Sequence, residues 1–262
     1  MSERLDASRT IDLNSDLGEA YGPFHVGEDV DEALFPLISS ANVACGFHAG
    51  DPVTIARAVS RARQHGVAVG AHPGFRDLAG FGRRAMAMTA REVEADVLYQ
   101  LGAVAAFCRA EGVPLRHVKA HGALYNLAAK DRSLADAIAR AVARYDSQLI
   151  FFALSGSELV AAGQAAGLHV SREAFADRAY NADGSLVARH LPGAVLTDPG
   201  AVAERMVRLV QTGHIDTIAG EPLLLHADTI CLHSDTPTAL PIAREIRARF
   251  EQANIRVRPY DG

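Results

Sequence analysis

Seven short runs of apolar, often β-branched residues recur along the chain, and most are followed by an amphipathic helical pattern. The runs cover 10–13, 41–45, 67–71, 115–120, 148–153, 168–171 and 229–232, with a last extended piece at 255–259. Runs such as VAVGA and LIFFAL are apolar almost throughout, as strands covered by helices on both faces are. Repeated strand–helix units in 262 residues predict a seven-stranded (β/α) barrel, ahead of a doubly wound sheet, as one domain over 1–262. The helices carry their own start signals. Asp51-Pro52, Asp198-Pro199 and Thr236-Pro237 each read as an N-cap with proline in the first turn, and Thr89 with Glu92 reads as a capping box. Val93, Val97, Leu101, Val104 and Cys108 keep a helical period after it.

The residues just after each strand are the chemically informative ones. The first run leads into Asn14, Ser15, Asp16 and Glu19; the second into His48 and Asp51; the third into His72. The fourth passes through Lys119 to His121, the fifth ends at Ser155 and Ser157, the sixth leads to Glu173, Asp177 and Arg178, and the seventh to His233, Ser234 and Asp235. Active sites of parallel α/β folds form at that carboxyl end. A plainer reading stands beside several of these residues. Asp51 and one of Ser155 or Ser157 read as helix caps. His65, His117, His169, His190, His214 and His226 fall off the strand-end pattern and read as surface or packing residues, while His25 is undecided. Cys45 and Cys231 read as small buried hydrophobes. Two long loops, 72–88 and 175–197, exceed ordinary turns and read as functional. Three glycines and three arginines in 74–84 predict a lid that closes on an anion.

Other classes are disfavoured. A net charge of −5 with dispersed Lys and Arg argues against nucleic-acid binding. No apolar run approaches membrane-span length, and the first ten residues lack a secretory apolar region. Three cysteines make a disulfide framework unexpected and point to a reducing cytoplasm. P-loop, H-E-x-x-H, G-x-S-x-G and C-x-x-C motifs are absent, and the G-x-G-x-x-A match at 80–85 lacks its strand–turn–helix context. Asp16, His48 and His72, from three successive strands, could hold a divalent metal. The same groups without metal could act as general acids and bases. Lys119, Arg83, Arg84 and Arg178 suit a carboxylate or phosphate. Together they suggest hydrolysis of a small anionic carbonyl compound.

Six stretches, DLNSDLGEAYG (12–22), SANVACGFHAGDP (40–52), GAHPGFRDLAGFGRR (70–84), VKAHGALYN (118–126), EAFADRAYNADGSLVAR (173–189) and ICLHSD (230–235), resemble the LamB/YcsF family. The resemblance runs from about residue 10 to 255. It implies a seven-stranded barrel like those of glycoside hydrolases and polysaccharide deacetylases. It also implies the activity of an ATP-hydrolysing 5-oxoprolinase: opening of the lactam 5-oxo-L-proline to L-glutamate with ATP and Mg. That enzyme would be a complex in which a chain of this type, the A subunit, joins subunits B and C. ATP would bind here or with those partners, and a homo-oligomer is also compatible. On this reading the catalytic set is Asp16, His72, Lys119, His121, His233 and Asp235. Asn14, His48, Arg83, Arg84, Tyr125, Glu173, Asp177 and Arg178 form the substrate-binding set. Ser15, Ala120 and Ser234 stand where the family usually has Cys, Pro and Gly, so a cysteine nucleophile at 15 is not expected. The alternatives are a stand-alone metal-dependent deacetylase or amidohydrolase, and a non-catalytic lactam-binding subunit.

Overall fold

The computed structural model describes residues 9–24 and 28–262; His25 lies outside the described residues. Its strands in chain order are β1 (Arg9–Leu17), β2 (Ser40–Ala44), β3 (Ala68–His72), β4 (Leu115–Lys119), β5 (Ile150–Leu154) and β6 (His169–Phe175). They are followed by β7 (His214–Asp216), β8 (Pro222–Leu224), β9 (Thr229–His233) and β10 (Ile255–Val257). β1 to β6 and β9 lie side by side in parallel, and β9 returns to pair with β1. The result is the expected closed barrel of seven parallel strands. β10 extends it beside the start of β1, and β7 and β8 form a separate antiparallel pair. Among the described residues no helix is long and apolar enough to cross a membrane.

The helices form where their sequence signals lie. Asp51 accepts from the Val53 and Thr54 amides to open helix Pro52–His65, and Gly66, at a φ of 67°, closes it. Thr89 and Glu92 make the capping box of helix Ala90–Glu111, whose stripe from Val93 to Cys108 is buried against the strands. Asp198 caps helix Pro199–Thr212 as expected. The expectation fails at Thr236-Pro237: helix Ala239–Gln252 starts later, and the Thr236 carbonyl instead accepts the Ala239 amide across the turn after β9. Ser157 sits at the N-cap of helix Glu158–Ala165, but its hydroxyl donates back to the Leu154 carbonyl.

The larger departure is in β1. The sequence places its end at Leu13, whereas the strand continues to Leu17. Leu13 and Leu17 face the helices, while Asp12, Asn14 and Asp16 point into the barrel, where they meet groups from strands across the interior. A polar interior removes the apolar signal by which a doubly covered strand is recognised.

Close approach within the barrel depends on Gly70. The pairing of β3 with β4 shifts register at Val69 and Gly70. There the His117 ring fills the space that a side chain on Gly70 would take: a Cβ would lie 2.1 Å from ring atoms. His117 also stacks on Phe152, with centroids 4.2 Å apart, and cannot retreat freely. Gly70→Ala is therefore expected to destabilise the fold by about 3 kcal/mol, the upper part of the overpacking range, and to lower Tm by roughly 5–10 °C. An unchanged melting curve would show that the His117 ring has room to move.

Candidate active site

The barrel interior is a stack of hydrogen-bonded polar side chains. At its lower end Asp12 accepts from the Ser39 and Ser40 hydroxyls at 2.6 and 2.7 Å, and from Thr229. Burial pushes its carboxyl up to about 6 despite those donors. Above it, Asn14 donates to Glu173 at 3.0 Å and to Thr229 at 2.8 Å. Asn42 donates to Asn14 at 2.7 Å and to Asp16 at 2.9 Å, and the Asn42 carbonyl faces His117 Nε2 at 2.8 Å. His117 is thus a packing residue, as its off-pattern position suggests, but one deep inside the barrel.

At the top of the stack lies the Lys119 ammonium. It is 2.8 Å from Asp16, 3.1 Å from Glu173 and 2.9 Å from Cys231 Sγ, and 5.3 Å from the centre of the Phe175 ring. Burial opposes its charge, but Asp16, Cys231 and Glu173 outweigh burial and hold its pKa well above the usual value. Asp16 is the complement: burial would raise it, yet His72 and Lys119 keep it well below the carboxylate range. Tyr125 donates to the other Glu173 oxygen at 2.6 Å, and burial and then Glu173 push its phenol up. Cys231 is therefore more than the small hydrophobe its strand suggests, because its sulfur touches the buried ammonium. Cys45 keeps the simpler reading, with burial raising its thiol pKa.

A pocket of about 580 Å³ opens above this floor. Asp16, His72, Lys119, His121, Tyr125 and His233 line its depth, and Arg83, Arg178 and Arg189 its rim. Asp177 faces His233 Nδ1 with both oxygens, at 2.9 and 3.0 Å, which fixes the proton on Nδ1 and leaves Nε2 as the free nitrogen. Arg178 is buried. Its Nη2 donates to the Val187 carbonyl at 2.6 Å, and its buried Nε has no hydrogen-bond partner. Asp235 pairs with Arg83 and with Arg189. Two guanidiniums thus share one carboxylate, and both repel the nearby Arg178. That surplus of positive charge favours a further anion.

The structure brings together most of the residues singled out from sequence, but not all in the expected roles. Asn14 and Glu173 lie beneath the pocket and position Lys119 and Tyr125. Asp235 holds rim arginines and is not itself among the pocket-lining residues. Arg84 turns away onto Asp77, outside the pocket. Loop 74–84 packs against the rest of the barrel mouth: Arg76 pairs with Asp96, the Gly82 amide donates to the Asp77 carbonyl, and the Ala123 amide donates to the Gly82 carbonyl. His190, read as a surface or packing residue, is exposed at the pocket mouth. Ser15 bonds the Leu232 carbonyl at 2.6 Å and does not line the pocket.

Glu19 is the functional candidate to which sequence reasoning gives no role. It is buried beside His48 and His121, at 3.3 and 3.5 Å. Burial raises its pKa, with His121 opposing. His48 stacks flat on His121 with centroids 3.7 Å apart, and burial lowers the pKa of both rings well below the ordinary histidine value. A signal for it exists: Glu19 ends the same polar stretch that supplies Asn14 and Asp16.

The sequence profile of the LamB/YcsF family matches residues 11–262. The chain is 54% identical over 249 residues to a protein named as the A subunit of 5-oxoprolinase from Symbiobacterium thermophilum, covering 95% of each chain. It is 53% identical over 249 residues to the protein of the same name from Chloroflexus aggregans, covering 95% of this chain and 98% of that one. The crystal structure of a lactam utilization protein from Thermus thermophilus is 51% identical, with a TM-score of 0.90 over 95% of this chain and 99% of that one. With a full-length profile match, these identities and the same barrel, the chain belongs to the LamB/YcsF family.

Proposed function

We propose that the chain is the lactam-handling A subunit of an ATP-hydrolysing 5-oxoprolinase, working in a complex with subunits B and C. The observation that carries this reading is the pocket itself. It combines an arginine rim with a buried Lys119–Asp16–His72 floor, in a chain half identical to proteins of that name.

5-Oxoproline offers a carboxylate, a ring carbonyl and a ring N–H. The rim guanidiniums of Arg83, Arg178 and Arg189 match the carboxylate. The ammonium of Lys119 faces the pocket floor, where it favours the negative charge that develops on the carbonyl oxygen. Asp16 and His72, 3.3 Å apart, take a proton from water as its oxygen adds to the carbonyl carbon. The C–N bond then breaks, and the bare Nε2 of His233, whose Nδ1 proton Asp177 holds, accepts the proton taken from water and passes it to the departing ring nitrogen. The opened product recloses readily, so the opening is coupled to ATP: the terminal phosphoryl group passes to the carbonyl oxygen as ADP leaves, water then adds, C–N cleavage leaves an acyl phosphate, and a second water releases phosphate. The sequence has no P-loop, and the described residues of the rim form no glycine-rich phosphate cradle. ATP with Mg then binds either in a cleft of another type on this chain or with the partner subunits.

In the reconstituted complex, His233→Ala should lower kcat for 5-oxoproline-dependent ADP release by roughly 10²-fold, the usual contribution of a positioned acid. Asp177→Asn should shift the pH profile of kcat along with a smaller loss, because the tautomer is no longer fixed. Full turnover by His233→Ala would remove His233 from the mechanism. ATP-independent ring opening by the chain alone would instead favour the stand-alone amidohydrolase.

The rim should show itself in KM. Arg189→Ala is expected to raise KM for 5-oxoproline roughly 10- to 100-fold with little change in kcat, the size of one hydrogen bond to a charged group. A loss confined to kcat would place the carboxylate elsewhere.

A further inference from the structure

Four ligand atoms of Glu19, His48, His72 and His121 lie within 4.8 Å of one another, all on buried side chains. Their hydrogen bonds show which of their atoms carry protons. His72 Nδ1 is 2.8 Å from the Lys119 carbonyl, which only accepts, so Nδ1 carries the proton and Nε2 a bare lone pair. His121 Nε2 is 2.8 Å from the Phe81 carbonyl, so its Nδ1 is bare as well. These two bare nitrogens face each other at 3.1 Å. Glu19 Oε1 stands 3.5 Å from His121 Nδ1 and 3.3 Å from His48 Nε2. His48 Nδ1 is buried and has no partner. With neutral rings, acceptors from Glu19, His72 and His121 thus converge, with Asp16 Oδ2 a further 3.3 Å from His72 Nε2, and among the described residues the only donor that reaches them is one N–H of His48.

The geometry points to a binding site for one first-row divalent transition ion, of the zinc or cobalt class, held by Glu19, His72 and His121. Bonds of 2.0–2.1 Å in a tetrahedron separate ligand atoms by about 3.3–3.4 Å, close to the 3.1 Å between His72 and His121 and the 3.5 Å between Glu19 and His121. Two imidazoles with one carboxylate suit such an ion better than calcium or magnesium. The His48 ring, stacked on His121, faces Glu19 Oε1 from Nε2 at 3.3 Å and orients that carboxylate from outside the ligand set.

The surroundings fix the cluster in place. Phe81 adopts a φ of 54°, rare for a bulky residue, and its carbonyl is the group that sets the His121 tautomer. A Cβ on Gly82 would lie 2.8 Å from both His121 and His48, and one on Gly74 would lie 2.8 Å from His48 Nδ1. A second cluster, Asp16, Cys231 and His233, is a weaker candidate because the Lys119 ammonium already sits on Asp16 and Cys231. His72 and His121 line the pocket, so an ion here would present its open position to a bound carbonyl. That role rests on the proposed function; the binding site does not.

The test uses the full chain without partners or ATP. After chelator treatment and dialysis, Co2+ is titrated and its visible absorption followed, with Zn2+ competition and metal analysis alongside. The expected result is one ion per chain, a tetrahedral-type Co2+ spectrum and a Zn2+-dependent rise in Tm. Glu19→Gln and His121→Gln should each weaken affinity by about 100-fold or more, the upper end for losing one group at a metal site, while far-UV circular dichroism is unchanged. His190→Gln, at the pocket mouth outside the cluster, should bind normally. Absence of binding, a shared proton alone accounting for the His72–His121 contact, would overturn the assignment. So would affinity that survives both cluster variants, or affinity lost instead on Cys231→Ser. Oxoproline turnover in the complex with no metal bound would reject a catalytic part for the ion, while the binding site and the proposed function are each judged by their own tests.

Discussion

A single buried ammonium organises this molecule. Lys119 ends β4 inside a closed barrel, and an isolated charge there would be strongly unfavourable. Asp16 from β1, Glu173 from β6 and Cys231 from β9 surround it. Both carboxylates are in turn held by others: Asn42 on Asp16, Asn14 and Tyr125 on Glu173. The strands that form the wall are therefore also tied through the middle. Removing Lys119 alone would leave two buried carboxylates facing one another, at a cost of about 3–5 kcal/mol. The ammonium belongs to the stability of the fold as much as to the chemistry of the pocket.

The same interior separates two kinds of polar residue at the mouth. Side chains reaching the pocket from the strand ends are fixed from below or from the side, as Asp177 fixes His233 and the Lys119 carbonyl fixes His72. Arginines above them are held differently, Arg83 and Arg189 by the shared Asp235 carboxylate and the buried Arg178 by the Val187 carbonyl. The floor is thus preorganised for charge that develops during reaction, and the rim for charge that arrives with the ligand.

Much of this architecture is legible in the sequence. The barrel follows from apolar runs and from caps such as Asp51 and Thr89, which act locally and leave local signatures. The strand-end register of His48, His72, His121 and His233 follows from the rule that parallel strands present chemistry at one end. The features that escape depend on pairing across space. β1 reads too short because Asn14 and Asp16 are polar, and only closure of the barrel supplies Glu173, Asn42 and Lys119 as their partners. Arg84 reads as a site residue because it adjoins Arg83, but the turn around Gly80 sends the two side chains apart, one to Asp77 and one to Asp235. The loop 74–84 reads as mobile from its glycines. In the fold, Gly82 is the place where backbone must lie against the His48 and His121 rings.

The polar stack through the barrel also bears on how such a chain can change over time or in the laboratory. The outer helices meet the barrel through apolar stripes, and volume-conserving swaps there cost little and act independently. Inside, Asp12, Asn14, Asn42, Glu173 and Thr229 share donors and acceptors, so a change at one alters what its neighbours can be. Libraries that vary helix faces one position at a time should retain folded members, whereas new barrel interiors must be sampled as linked sets.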